Sequence, residues 1–303
     1  MEYGFGTLPG RRRTARGVRS GLVAVAGRPN VGKSTLVNAL CEDKVAIVSA
    51  VPHTTRRRIF GVANGPGYQL VLVDLPGFQR PIDALTARMQ ETVDASFENV
   101  DTVLFVLDAR ARIGAGDRFI ARRVFALGAP VVIALNKVDR LKAGHIASQM
   151  KVAATLGDFH ALHPVSAKTR DGVGELRDDL VHLLPEGPLL FPLEMSSDLT
   201  DTERVAEIVR EKALQLTRDE VPHALTVEVD EIGERTVRAF VVVETESQKG
   251  ILVGKRGAMI REIGTRARPE LEALLGHPVF LELVVKVRPK WRRDPKQLER
   301  LGL

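Results

Sequence analysis

The sequence predicts two unlike folds in tandem: a doubly wound α/β domain with a mostly parallel sheet, then a smaller α+β domain. Three observations lead there. A short apolar run, Leu22–Ala26, passes through a glycine-rich loop into a helical stretch, Thr35–Leu40. Strand-sized apolar runs then alternate with helical patterns as far as residue 184. After a Pro/Gly break at 185–192 the order changes to helix, strand, strand, two helical halves around a glycine turn, and strand. A length of 303 residues suits about two domains.

The loop Gly27-Arg28-Pro29-Asn30-Val31-Gly32-Lys33-Ser34 fits G-x-x-x-x-G-K-[S/T] at every fixed position. Between a buried strand and a helix, such a loop turns its backbone N–H groups toward a phosphate at the helix N-terminus. Lys33 is expected to reach the β- and γ-phosphates, and the Ser34 hydroxyl to hold Mg²⁺. Downstream, Pro52-His53-Thr54-Thr55-Arg56 forms a polar loop where a threonine hydroxyl can meet Mg²⁺ and the γ-phosphate. Thr55 is the candidate, with Thr54 its rival, and His53 reads as a surface residue. Strands at Arg58–Asn64 and Tyr68–Asp74 are joined by Gly65-Pro66-Gly67 as a hairpin.

The second of these strands ends in Asp74-Leu75-Pro76-Gly77. An aspartate at the carboxyl end of a buried strand faces the ligand crevice of an open α/β sheet. There Asp74 can hold Mg²⁺ through water, while the Gly77 N–H contacts the γ-phosphate. Phe78 follows, and an apolar side chain cannot orient an attacking water, so unaided hydrolysis should be slow. Thr102–Asp108 is a further strand; Pro130–Leu135 is another, and it runs into Asn136-Lys137-Val138-Asp139. A carboxylate accepts from N1–H and the exocyclic amine of guanine, whereas adenine would leave it unpaired, so Asp139 selects guanine. Lys137 is expected over the base and Asn136 as a brace. In Ser166-Ala167-Lys168 the Ala167 N–H is expected at guanine O6.

Beyond the break, Thr202–Thr217 reads as a helix with Val205, Ile208, Val209 and Leu216 on one face. Strands are expected at Ala224–Val229 and Thr236–Val243, a helix near Pro269–Leu275 and a last strand at Val279–Val287. Between them Gly254-Lys255-Arg256-Gly257 is a G-x-x-G turn of the kind that clamps single-stranded RNA in KH domains, with Arg261 close behind. The order of elements resembles a type II KH domain. Charge agrees. The chain carries +6 overall, with +4 in residues 1–20 and +7 from Lys249 onward, leaving −5 for 21–248. A basic C-terminal third points to a polyanionic partner, RNA, DNA or an anionic membrane surface. Lys290 and Arg292 flank the single tryptophan, Trp291, which either stacks on a base or caps the last strand. The one cysteine, Cys41, excludes an internal disulfide and points to packing and an intracellular compartment. The longest apolar runs are strand-sized, so no membrane span is expected.

The wording GRPNVGKS, HTTRRR, DLPG followed by Phe, NKVD and VSAK resembles the Era family of GTPases over about residues 21–300. The resemblance implies a basic extension at 1–20, a G domain at 21–184, a linker at 185–200, a KH domain at 201–288 and a basic tail at 289–303. It further implies GTP and GDP as ligands with Mg²⁺, and K⁺ held in part by Asn30. Lys33, Thr55 and Gly77 would act in catalysis. The partners implied are the 3′ region of 16S ribosomal RNA and the 30S subunit, with peripheral contact to an anionic membrane left open and a monomeric, cytoplasmic protein expected. The family usually carries another glycine where this chain has Arg256.

Overall fold

The computed structural model describes residues 17–49, 51, 54–78, 81–97 and 99–303. The expectations for residues 1–16 and for His53 lie outside these. The elements run β1 (Arg19–Ala26), α1 (Lys33–Cys41), β2 (Ile59–Gly65), β3 (Tyr68–Asp74), α2 (Ala84–Ser96), β4 (Thr102–Asp108), α3 (Ala115–Phe125), β5 (Val131–Asn136), α4 (Ala143–Ala153), β6 (Ala161–Val165) and α5 (Val173–Leu183). They continue with α6 (Asp201–Leu216), α7 (Val221–Ala224), β7 (Thr226–Ile232), β8 (Thr236–Val243), α8 (Glu246–Val253), α9 (Ala258–Leu275), β9 (Phe280–Val287) and α10 (Pro295–Arg300).

Two compact units result. The first comprises residues up to Ala46 with Arg57–Phe78 and Glu91–Asp198; the second comprises Ile47–Arg56, Gln79–Gln90 and Leu199–Leu303. In the first, six strands lie in the order β2-β3-β1-β4-β5-β6. Only β2 runs antiparallel, paired to β3 through the expected hairpin. Alternation along the strands fills both faces. Val23 and Val25 pack with Leu36, Leu40 and Leu176 on one side, whereas Ala24 and Ala26 pack with Phe105, Ile120 and Val124 on the other. Such two-sided burial gives the near-continuous apolar runs of a parallel sheet. Because β1, β3, β4, β5 and β6 are parallel, their carboxyl ends, Ala26, Asp74, Asp108, Asn136 and Val165, meet along one edge. Burial pushes the Cys41 thiol up to about 12, which suits an inert packing residue.

Residues 185–198, expected as a linker, are instead laid against this sheet. Ser20 N donates to Pro185 O, the Gln69 carboxamide bonds Leu190 N, Phe191 N and Phe191 O, and Ser197 bridges to Gly61. At Gly61 and Val62, whose N–H donates to Ser196 O, groups of the edge strand β2 are satisfied this way.

In the second unit β8 lies between antiparallel β7 and parallel β9. Helix α6 begins at a capping box, Thr200 with Glu203, and buries Val205 and Val209 against β8 residues Val237, Ala239 and Val241. Thr245 and Gln248 cap α8 in the same way. The helix expected near 269 starts eleven residues earlier, at Ala258, and keeps Pro269 inside it. Its apolar face, Ile263, Ala267 and Leu271, overrides the local proline signal.

The C-terminal segment is no loose tail. Trp291 is fully buried with Leu85, Met89, Val242 and Leu298, and its indole N–H donates to Ala224 O at 2.8 Å. The reading in which Trp291 stacks on a base is therefore corrected: its ring is spent on the core. Replacing it should show this. Trp291→Ala is expected to cost about 3–5 kcal/mol of the second unit's stability, read by denaturant unfolding followed by circular dichroism. A loss below about 1 kcal/mol would contradict the packing role.

Candidate nucleotide site and RNA clamp

The nucleotide site is assembled where the parallel strands end. The loop from Gly27 to Gly32 turns through positive φ at Gly27 (150°), Asn30 (64°) and Gly32 (99°). A Cβ at Gly27 would lie 2.5 Å from Val106 O, and one at Gly32 would lie 2.4 Å from the Asn136 amide nitrogen, so glycine is required at both. The Lys33 ammonium is buried and donates to the carbonyls of Gly27 and Arg28, each at 3.2 Å. Burial lowers its pKa to about 8, against the pull of the Asp74 carboxylate. Phosphate oxygens in the loop would favour its charged form.

Ser34 Oγ donates to Asp74 Oδ2 at 2.7 Å. A hydroxyl and a buried carboxylate side by side form the hard oxygen set that Mg²⁺ takes, beside the glycine cradle. These residues therefore fit the metal. Gly77 packs so closely on Pro29 that a Cβ would come within 2.9 Å of its ring. Leu75 and Pro76 are buried, as is Val31 within the phosphate loop. Exposed Arg28 pairs with Asp117 at 3.2 Å. The Phe78 ring stacks on Phe97 at 5.7 Å, and the Arg123 guanidinium lies over its face, so it serves packing and offers no hydrogen bond to a water.

The loops expected to read the base are tied to the phosphate loop through Asn136, which is 1% exposed. Its amide donates to Val31 O at 2.9 Å, while its oxygen accepts from Lys137 N at 2.8 Å and Ala167 N at 3.0 Å. The Ala167 N–H expected at guanine O6 is therefore spent on Asn136 in this structure. Ser166 Oγ donates to Asp139 Oδ1 at 3.0 Å and orients the carboxylate. Val138 starts a 3-10 turn that carries Asp139, while Lys168 is exposed. Lys137, in left-handed conformation, donates to Asn30 O and to Asp108 Oδ2 at 2.7 Å.

Asp108 is the residue missed from sequence. Burial pulls its pKa up, but Arg110 and Lys137 hold it below the usual carboxylate range. Its signal was present, since it ends β4 as Asp74 ends β3. Thr55, the threonine named for Mg²⁺, is buried within the second unit, and the Thr54 hydroxyl donates to Val51 O.

The second candidate interface is the Gly254–Gly257 turn between α8 and α9. Gly254 has φ 70° and ψ 176°, and a Cβ there would meet the Met259 Cβ at 2.8 Å. Gly257 is left-handed at φ 76° and opens onto free space. Lys255, Arg256 and Arg261 are exposed at this turn, as Lys290 is in the C-terminal segment. Arg256 takes φ 52° and ψ 32°, the left-handed region that costs a non-glycine residue about 1–2 kcal/mol. Arg292 does not join this surface: its side chain pairs with Asp83.

Comparison with known proteins agrees with this geometry. Residues 22–137 match the family described as 50S ribosome-binding GTPase, and 220–292 match the KH domain. GTPase Era of Geobacter metallireducens is 42% identical over 94% of this chain and 97% of its own. GTPase Era of a Nocardioides species is 44% identical over 94% and 96%. Among solved structures, Era in complex with MgGDPNP and nucleotides 1506–1542 of 16S ribosomal RNA superposes with a TM-score of 0.91, at 39% identity, covering 94% of this chain and 99% of that one. An Aquifex aeolicus Era variant bound to GDP and AlF4⁻ gives a TM-score of 0.90 at 39% identity, with 94% and 99% covered.

Asn136→Ala leaves Val31 O, Lys137 N and Ala167 N without their common partner, so guanine-nucleotide affinity should fall by about tenfold to a hundredfold in calorimetric titration. Unchanged affinity would refute the brace. Arg256→Gly relieves the left-handed strain and should raise stability by about 1 kcal/mol in chemical unfolding. It should also weaken binding of single-stranded RNA and reduce the slope of log affinity against log salt by about 0.7. An Arg256→Gly protein that binds RNA with an undiminished slope would place Arg256 outside the clamp.

Proposed function

We propose that this chain, which belongs to the Era family of GTPases, couples GTP hydrolysis to the RNA affinity of its KH domain during assembly of the small ribosomal subunit. It is a GTPase followed by a KH domain. Its RNA is read as the 3′ region of 16S ribosomal RNA, because the solved Era with this fold is bound to nucleotides 1506–1542 of that molecule. The nucleotide domain is read as 21–184 with 185–198 laid on its sheet, and the RNA-binding domain as 201–288 with the C-terminal segment packed on it.

One observation carries the coupling. Of the loops expected to meet the γ-phosphate, 44–60 and 74–90, the described residues 47–49, 51, 54–56 and 81–90 belong to the unit that holds the G-x-x-G clamp. Val48 N donates to the Glu211 carboxylate, Thr54 O accepts from Arg210, and Arg56 donates to the carbonyls of Pro222, His223 and Leu225. A nucleotide that draws Thr55 to the phosphates must break or reorder these bonds. It therefore has the differential interaction needed to shift the second unit between two states.

Within the reaction Lys33 binds the phosphates, the Gly77 N–H contacts the γ-phosphate, Ser34, Thr55 and Asp74 hold Mg²⁺, and Asp139 fixes guanine. The bound Mg²⁺ would neutralise charge on the phosphate oxygens. Phe78 supplies no group to position water, so slow turnover is expected until a partner provides one. K⁺ held in part by Asn30 belongs to the same reading, as does a monomer. Peripheral contact with an anionic membrane is the weaker alternative. No helix among the described residues is long and apolar enough to cross a membrane, and Lys255, Arg256 and Arg261 cluster at the RNA clamp.

The test is the affinity for an oligonucleotide copying the 3′ end of 16S ribosomal RNA, measured with a GTP analogue, with GDP and without nucleotide. Binding at least about tenfold tighter with the analogue, a coupling above about 1.4 kcal/mol, is expected. Equal affinity in all three states would remove the coupling and leave GTP as a structural ligand.

A further inference from the structure

A cavity of about 350 Å³ opens within the second unit, away from the G-x-x-G turn. Its apolar wall is formed by Val51, Leu85, Met89, Leu214 and Pro222, with Ile82 at the rim, 78% exposed. Three guanidinium groups line the rest, those of Arg56, Arg210 and Arg292. Arg56 and Arg210 are 8% and 3% exposed.

The charges do not balance. Arg210 pairs with Glu207 and Arg292 with Asp83, but Arg56 donates only to main-chain carbonyls and lies over the Trp291 ring. Nor are the donors used up. Among the described residues, Arg210 Nη1 and Arg292 Nε are buried without a hydrogen-bond partner. Buried polar groups are normally satisfied, and buried like charges normally avoid one another. The crowding is felt electrically: burial, Arg210 and Arg292 together bring the Arg56 pKa down to about 9, and burial with Arg292 and Arg56 lowers that of His223. Guanidinium forks match phosphate oxygens in shape and charge, and the cavity volume is that of a small-molecule site.

We propose that this cavity binds a small phosphate-bearing anion, whose charge balances the Arg56–Arg210–Arg292 cluster that lines it, and whose organic part, where it carries one, lies on the Leu85–Met89–Leu214 wall. Bound there, the anion would tie Thr54 and Arg56 more firmly to α6 and to the turn at Arg292. On the reading of 47–56 as the nucleotide-responsive segment, it would act as a regulator; binding itself does not depend on that reading.

Titration calorimetry on the full chain, first loaded with GDP and Mg²⁺ so that the phosphate loop is filled, tests it. The probes are inorganic phosphate and adenosine 5′-monophosphate, whose adenine the guanine-reading loop rejects. Saturable binding of at least one probe is expected, weakened about tenfold or more in Arg210→Gln. Preference for the nucleotide would assign the apolar wall to an organic moiety, and equal affinity would assign a simple phosphate. Since Arg210→Gln removes a buried ion pair, two variants at the exposed rim decide independently. Ile82→Glu should weaken and Ile82→Lys should strengthen binding, each by about threefold, because only the sign of one charge differs. Absence of saturable binding up to about 10 mM of either probe, or equal affinity in the two Ile82 variants, overturns the proposal.

Discussion

The nucleotide site depends on one buried carboxamide. Asn136 makes three hydrogen bonds to three separate loops, and each of those loops begins at the carboxyl end of a different parallel strand. The phosphate loop therefore cannot shift without disturbing the loops that read the base. The requirement runs the other way as well. Gly32 has no side chain because the Asn136 amide occupies the space where its Cβ would be. Lys137 adds a second tie, from the base-reading loop to Asn30 O and Asp108. On the reading of these loops as the base and phosphate sites, specificity and affinity would be held by a single rigid arrangement, as preorganised recognition needs.

The second unit has a comparable anchor in Arg56. Thr55 and Arg56 are consecutive, so their Cα atoms stay about 3.8 Å apart whatever the loop does. The Arg56 guanidinium is bound to three carbonyls and covered by the Trp291 ring. Any movement of the Thr55 hydroxyl toward a metal therefore pulls on a buried cation. Withdrawing that cation exposes the Pro222–Leu225 carbonyls, whose own chain leads directly into β7 and the KH sheet. The stiffness of packed interiors favours two discrete arrangements over a graded response.

How much of this was legible beforehand differs between elements. Strand β4 was read with its observed bounds, and the hairpin of β2 and β3 nearly so, because two-sided burial writes itself as continuous apolar runs. The phosphate loop was legible because its chemistry fixes residue type and spacing together. Helix α9 was not, since Pro269 is a strong local signal and the apolar face that outweighs it acts only through tertiary packing. Trp291 was equally opaque. Its basic neighbours in sequence suggested a nucleic-acid surface, but Arg292 turns to Asp83 and the indole to Ala224 O, partners more than sixty residues away. Asp108 lacked any motif around it, and its role emerged only when β5 placed Lys137 beside it. For α9 and Trp291 the failure lay in long-range contacts that no local pattern encodes; Asp108 carried a local signal, its place at a strand end, but not the partner that gives it a role.

The positions where this chain departs from what stability alone would choose are cationic. Arg256 stands in a left-handed turn that glycine would adopt without strain. Arg56 is buried with no carboxylate of its own and beside two further guanidinium groups. Selection for folding would remove both, since an uncharged residue of fitting shape costs less at either site. Strain and unbalanced charge persist where something outside the folded chain compensates for them. On the reading of the G-x-x-G turn as an RNA clamp, the compensating charge there would be an RNA phosphate, and the same logic at the arginine cavity calls for a second anion. One imbalance thus underlies both proposals: at each place a cation stands without a carboxylate of its own, although the unit contains carboxylates elsewhere, as at Glu207 and Asp83.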